Sequence, residues 1–141
     1  MRNVTNLLMN AWMQLLDGNV GVPVYRVDAP PEEQGHYVLL RVESETENQN
    51  NQNFVTNPVI ITEVVTRFKS RINDSKAADI DDLIAALIAP RPGIHNLVVP
   101  EGIQITDVRR LNATYIGEDD GTFRYHILAT RNLHRVVQLT S

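Results

Sequence analysis

The chain contains no cysteine. That rules out disulfides, thiolate nucleophiles and cysteine-based zinc sites, and it suits a reducing compartment. No apolar run approaches the roughly 18 residues that a membrane span requires. The first apolar stretch is interrupted by Asn6, Asn10 and Gln14, and no small-residue cleavage site follows it, so no targeting signal is read. Basic residues are outnumbered, 13 Lys and Arg against 17 Asp and Glu, for a net charge of −4. An acidic balance argues against tight binding to a phosphate backbone, and is compatible with a surface that nucleic acid passes without sticking. Aromatics are scarce at 6% and do not interleave with the few basic groupings as an RNA platform needs. Absent too are the nucleophile elbow, the P-loop, the dinucleotide fingerprint and the H-E-x-x-H zinc motif.

What is present is ordinary globular material. The 141 residues are 43% hydrophobic and 21% charged, enough to bury a core in one domain spanning 1–141. The pattern predicts a soluble cytoplasmic protein. Val4, Leu7, Leu8, Ala11, Trp12, Leu15 and Leu16 recur at helical spacing, and Gly18 offers the left-handed stop. Trp12 therefore reads as core. A short strand is expected at residues 22–27, and Pro23 places it at a sheet edge. After a loop stiffened by Pro30 and Pro31, residues 36–45 read as a strand.

Residues 58–68 make the strongest strand in the chain. Ile60, Thr62, Val64, Thr66 and Phe68 share one face, and Val59, Ile61, Glu63, Val65 and Arg67 share the other. A second amphipathic helix follows, capped by Asp74 or Ser75, with Asp79, Asp81 and Asp82 toward the positive end of its dipole. Two long strands joined through "GEDDG" come next, and the closing "HRVVQLTS" extends the last one or forms an arm. The order predicts an α+β fold: a mixed, mainly antiparallel sheet of four to five strands, two helices packed on one face, and a long β-hairpin loop.

That loop is the oddest segment. "ENQNNQNFVTN" at residues 47–57 is almost wholly amide side chains. Strands of one sheet flank it, so it is not a domain linker. It is too short for a prion-like tract, and residues 45–57 are long for a hairpin connection. Connections of that length are functional or disordered, and this one is expected to order only against a neighbour. Phe54 and Val55 are its only apolar residues.

Candidates for chemistry are few. His126 and His134 stand about 26 Å apart on one extended strand, too far to share a metal. A site built from His36, His95 and the Asp79, Asp81 and Asp82 carboxylates would need a tertiary encounter, and dipole-complementing charge accounts for those aspartates more simply. No metal, cofactor or catalytic residue is assigned. The basic groupings, Arg109 with Arg110 and Arg131 with Arg135, read as a solvated strand face or as partner contacts.

The order of weak motifs resembles the tail-completion or tail-terminator proteins of tailed bacteriophages, which are similar to head–tail connector (neck) proteins. The likeness runs through "VTNLLMNAWMQLL", "VPVY" before a proline-rich loop, "HYVLLR", "VIITEVVTRF", "ADIDDLIAALIAP", "GIQITDVRRL" and "FRYHILATRNLHRV". It implies a non-enzymatic virion protein, assembled in the host bacterial cytoplasm. Such a protein forms a homo-oligomeric ring, hexameric or dodecameric, at the head–tail junction or the end of the tail tube. Its partners would be tail, portal or connector proteins, with DNA only passing through the channel and no membrane involved. Subunit or partner contacts are expected at Asn48, Asn50, Asn51, Gln52, Asn53 and Phe54 of the polar loop, and at Arg109, Arg131 and Arg135. The alternative is a small non-catalytic binding or adaptor module that uses an exposed edge strand.

Overall fold

A computed structural model of the chain describes residues 4–44, 47–49, 53–91 and 94–139. Helix α1 (Val4–Leu16) leads into strand β1 (Val24–Arg26), followed by β2 (Tyr37–Ser44), β3 (Glu47–Gln49), β4 (Asn53–Thr56) and β5 (Val59–Phe68). Helix α2 (Ser75–Ile88) precedes the two long strands, β6 (Ile103–Asp119) and β7 (Arg124–Leu139). The fold is the expected α+β arrangement, but among the described residues the mixed sheet has seven strands, not four to five, because the polar tract adds β3 and β4. Only β1 and β2 run parallel, and β1 forms an edge as Pro23 required. α1 packs on β1, β2 and α2, while α2 packs on β5 and β7. Both helices therefore cover one face.

Alternation along the strands builds the core. Ile60, Thr62, Val64 and Thr66 of β5 are all fully buried beneath the helices, with Val38 and Leu40 of β2 and Leu128 and Val136 of β7. α1 contributes Leu8, Trp12 and Leu16, and α2 contributes Ile80, Ile84 and Ile88. Gly18 stops α1 with φ +77°, while the backbone N–H of Asn19 donates to Leu16 O at 2.9 Å. Asp74 occupies the N-cap position of α2, as expected, but its side chain makes no capping bond. Asn73 Oδ1 instead accepts from the Ser75 N–H at 3.2 Å and the Ser75 hydroxyl at 2.8 Å.

The polar tract departs from the expected long loop. β4 and β5 keep one register against β7: Thr56 lies opposite Val136, and Val59 lies opposite Leu133. Between them the His134 N–H donates to Pro58 O at 3.0 Å. They are in effect one strand, interrupted where Pro58 has no N–H to give. Across the hairpin a bulge between Val42 and Ser44 shifts the register by one residue, and Glu47 opposite Thr56 continues the shifted pairing. The flanking strands thus run on into the tract as a two-stranded ribbon. The pairing of β3 with β4, and of β4 with β7, lies within the chain itself. Residues 48, 49, 53 and 54 thus have strand partners within the chain. Asn50, Asn51 and Gln52 lie outside the described residues.

One polar contact crosses the core. Trp12 Nε1–H donates to His134 Nε2 at 2.9 Å, and His134 Nδ1–H donates to Pro58 O at 3.0 Å. Both rings are buried, and they meet edge-on at 5.7 Å. The neutral imidazole uses both nitrogens, one as acceptor and one as donor. A proton on Nε2 would break the tryptophan bond. Burial lowers the His134 pKa from 6.5 to about 4, against the opposing pull of the Pro58 carbonyl. Between those two values the unfolded chain binds more protons than the folded one. The contribution of His134 is thus complete above pH 6.5 and is lost as the pH falls toward 4; its full size is about 3 kcal/mol. Urea unfolding followed through the single tryptophan should show stability declining between pH 6.5 and 4.5. The His134→Leu variant, less stable at neutral pH, should show a clearly shallower decline. Equal slopes for the two proteins would contradict the assignment.

Candidate assembly surface

The helix-free face of the sheet holds the three arginines singled out by sequence. Arg131 lies opposite Ile61, Arg109 opposite Leu133, and Arg135 opposite Asp107. These odd-numbered β7 positions point away from the helices, so the topology brings Arg109, Arg131 and Arg135 together along β6 and β7. Arg131 Nε donates to Glu43 Oε2 at 2.6 Å and its Nη1 to Asn112 Oδ1 at 3.3 Å. Next to it Arg41 pairs with Glu63 at 2.7 Å. Ile61 sits in register between Arg41 and Arg131 and is buried although no helix covers it. The half-exposed side chains of the two arginines flank it on the neighbouring strands. Arg109 and Arg135 are held more loosely, by Asp107 at 3.5 Å and by the Thr106 hydroxyl at 3.0 Å.

The ribbon continues the sheet at the end of β7. Val55 lies opposite Val137, and both are buried, which anchors its root. Asn48 pairs with Val55 on the outer strand, while Asn53 and Phe54 lie opposite Leu139 and Gln138 on the inner one. The arginines and the ribbon root are thus continuous along β7.

Arg110, adjacent in sequence to Arg109, points the other way. Its Nη2 meets Asp81 Oδ1 at 2.6 Å and its Nε meets Asn132 Oδ1 at 3.2 Å. Asn132 donates in turn to the carbonyls of Ile60 and Thr130. The aspartates of α2 do not complement the dipole as expected, since none lies in the first turn. Asp81 instead ties α2 to the sheet, and Asp79 and Asp82 are exposed.

The residues of the conceivable enzyme site do not converge. His36 Nδ1 accepts from the Arg67 N–H at 3.0 Å, and its ring leans on Phe68. Burial lowers its pKa. His95 Nδ1 accepts from the Leu97 N–H, and its Nε2–H donates to Ile105 O at 3.1 Å. His126 stacks on Tyr115 with centroids 5.0 Å apart. Among the described residues no group of three His, Asp or Glu side chains could hold a metal ion.

The fold is similar to that of a chain in the virion of a native gene transfer agent (GTA) particle. The TM-score is 0.71 at 19% sequence identity, over 96% of this chain and 99% of that chain. At that identity the likeness establishes the fold. Neither a protein-family model nor a curated protein matches the chain.

Sequence reasoning missed the Trp12–His134 bond and the Arg110–Asp81 bridge, both formed between distant segments. The one available signal was the run of polar residues, Thr130, Asn132 and His134, on the inward face of an otherwise apolar strand. The two kinds of arginine differ in energetic role. Asp81→Ala would leave Arg110 partly buried without its carboxylate and should cost about 2 kcal/mol of stability. Arg131→Ala breaks a more exposed pair and should cost less than about 1 kcal/mol. Urea denaturation of the two variants measures the difference, and equal losses would refute the distinction.

Proposed function

We propose that this chain is a structural virion protein. It forms a ring at the head–tail junction or at the end of the tail tube, completing the tail and leaving a channel for DNA. The observation that carries this reading is the match of the fold, end to end, to a chain of a virion particle. That match supports a virion protein; the ring and its place at the tail rest on the terminator-like motif order of the sequence. Among the described residues the sheet has unlike free edges, a three-residue β1 beside α1, the short β3 of the ribbon and a seventeen-residue β6. Two different surfaces on one protomer suit a heterologous contact, which closes into a ring when the rotation allows. Six copies is the expected number, with twelve as the alternative.

The chemistry is non-enzymatic in this reading, needs no cofactor, and meets DNA only in passage. A net charge of −4 weakens adhesion of DNA to the protein and favours sliding. The partners are other tail, portal or connector proteins. Assembly takes place in the cytoplasm of a bacterial host. The Asn/Gln ribbon, with Arg109, Arg131 and Arg135 beside it, is the contact surface toward a neighbouring subunit or the tail.

Light scattering combined with negative-stain imaging tests the ring. The expected result is a particle of about six chains with a central hole, formed alone or on purified tails. A single copy under both conditions would refute the ring. A single copy that binds an extended peptide along β6 would support the adaptor alternative. Replacing residues 48–53 by a short Gly-Ser turn should leave the tryptophan emission and helix content of the protomer unchanged but reduce assembly. Wild-type assembly by the trimmed protein would remove the ribbon from the contact surface.

A further inference from the structure

Two surfaces at opposite sides of the protomer are each incomplete. Along β6 every residue from Leu111 to Asp119 is exposed, and β6 pairs only with β7, so its outer edge has no strand partner. It carries Leu111, Tyr115 and Ile116, 42%, 54% and 41% exposed, with Tyr115 on the helix side opposite Leu128 and Ile116 on the bare side opposite Ile127. A bare, partly apolar edge is a liability in a monomer and a contact in an assembly. The tip of the hairpin adds Glu118, Asp119 and Asp120. Arg124 approaches Asp119 at 3.8 Å, with both side chains more than half exposed. Glu118 has no ion pair among the described residues.

The opposite side, where α1 packs against β1, carries the complement. An open depression of about 310 Å³ lies between Leu7, Ala11 and Gln14 of α1 and the segment 98–100. A second, of about 160 Å³, adjoins it next to Leu15. Val98 stands 75% exposed between them. At the rim Arg26 is exposed, its Nη1 2.8 Å from Asn10 Oδ1 and its Nη2 3.0 Å from Asn6 Oδ1. Two neutral amides orient this guanidinium, and among the described residues no carboxylate neutralises it. One side thus offers an apolar edge ending in carboxylates, and the other an apolar depression rimmed by a cation.

We infer that the β6 edge of one copy seats in the α1 depression of the next, with Glu118 and Asp119 facing Arg26. The occupant is a second copy of this chain. The patches are complementary in charge and both apolar, and Arg26 on β1 and Glu118 with Asp119 on β6 stand on opposite edges of the sheet, as a head-to-tail contact needs. This deepens the ring reading and rests on it.

Charge reversal on the full chain tests the contact. Arg26→Glu alone, and Glu118→Arg with Asp119→Arg, should each weaken assembly at least about tenfold, as like charges brought together at an interface do. The triple variant should recover assembly to near the wild-type level. Unchanged circular dichroism and tryptophan emission establish that each variant folds. A second measurement exploits the absence of cysteine. Gln14→Cys and Tyr115→Cys chains, prepared separately and oxidised, should form a covalent dimer only when mixed. A wild-type ring that neither reversal weakens, or that the triple variant fails to restore, overturns this seat and leaves the ring standing. Cross-linking within either single variant would show like patches meeting, and would overturn it too. A wild type that stays a single copy, alone and on tails, removes the ring and the contact with it. If the same residues bind a tail protein instead, the second copy is the wrong occupant.

Discussion

His134 accepts a hydrogen bond from Trp12 and donates one to the carbonyl of Pro58, and the rest of the architecture is arranged about those two bonds. Trp12 belongs to the first helix, Pro58 marks the break between β4 and β5, and His134 lies on the strand that pairs with both β5 and β6. The proline cannot donate to the ladder, yet its carbonyl receives both the backbone N–H and the ring N–H of His134. The register of β7 therefore passes through the interruption without a slip. A slip of one residue would turn every side chain of β4 to the opposite face. It would carry the ribbon root away from Val136 and Val137.

This arrangement separates the two faces of the sheet into different roles. Beneath the helices, Thr130, Asn132 and His134 alternate with the outward arginines of β7, and two of these inward side chains take part in links to other elements. One link is Trp12–His134; the other runs from Asn132 through Arg110 to Asp81. Polar groups in such a place specify which helix sits where, because each demands a partner that only one packing supplies. On the bare face, arginines paired with Glu43 and Glu63 flank apolar positions such as Ile61. That face stays wet and charged.

Much of this was legible in the chain because it depends on near neighbours. The stripe from Val4 to Leu16, the stop at Gly18 and the turn through Asp120 and Gly121 are set by spacing and by local backbone preference. The alternation of residues 59–68 correctly announced a strand with an inward face. The N-cap position of α2 was read correctly at Asp74, but the capping bond comes from Asn73 one residue earlier. Asp81 was misread. Its charge looked complete on its own helix, and only β6 brought Arg110 within 2.6 Å. The tract at residues 47–57 misled through composition. Asparagine and glutamine disfavour a strand in isolation, but pairing with a neighbour already in register overrides so weak a preference.

Sequence by itself determined the helices, the strands outside the polar tract and their order, the α+β class and the lack of any familiar catalytic motif, since hydrophobic period and turn chemistry act over a few residues. Tertiary structure alone decided how the elements meet. It turned Arg109 and Arg110 to opposite faces, gave the buried imidazole its two partners, and continued the hairpin into the polar ribbon. It also set the acidic edge of β6 and the Arg26 rim on opposite sides of the sheet. Those outcomes depend on register and distance between residues far apart in the chain, and a linear pattern carries no distance.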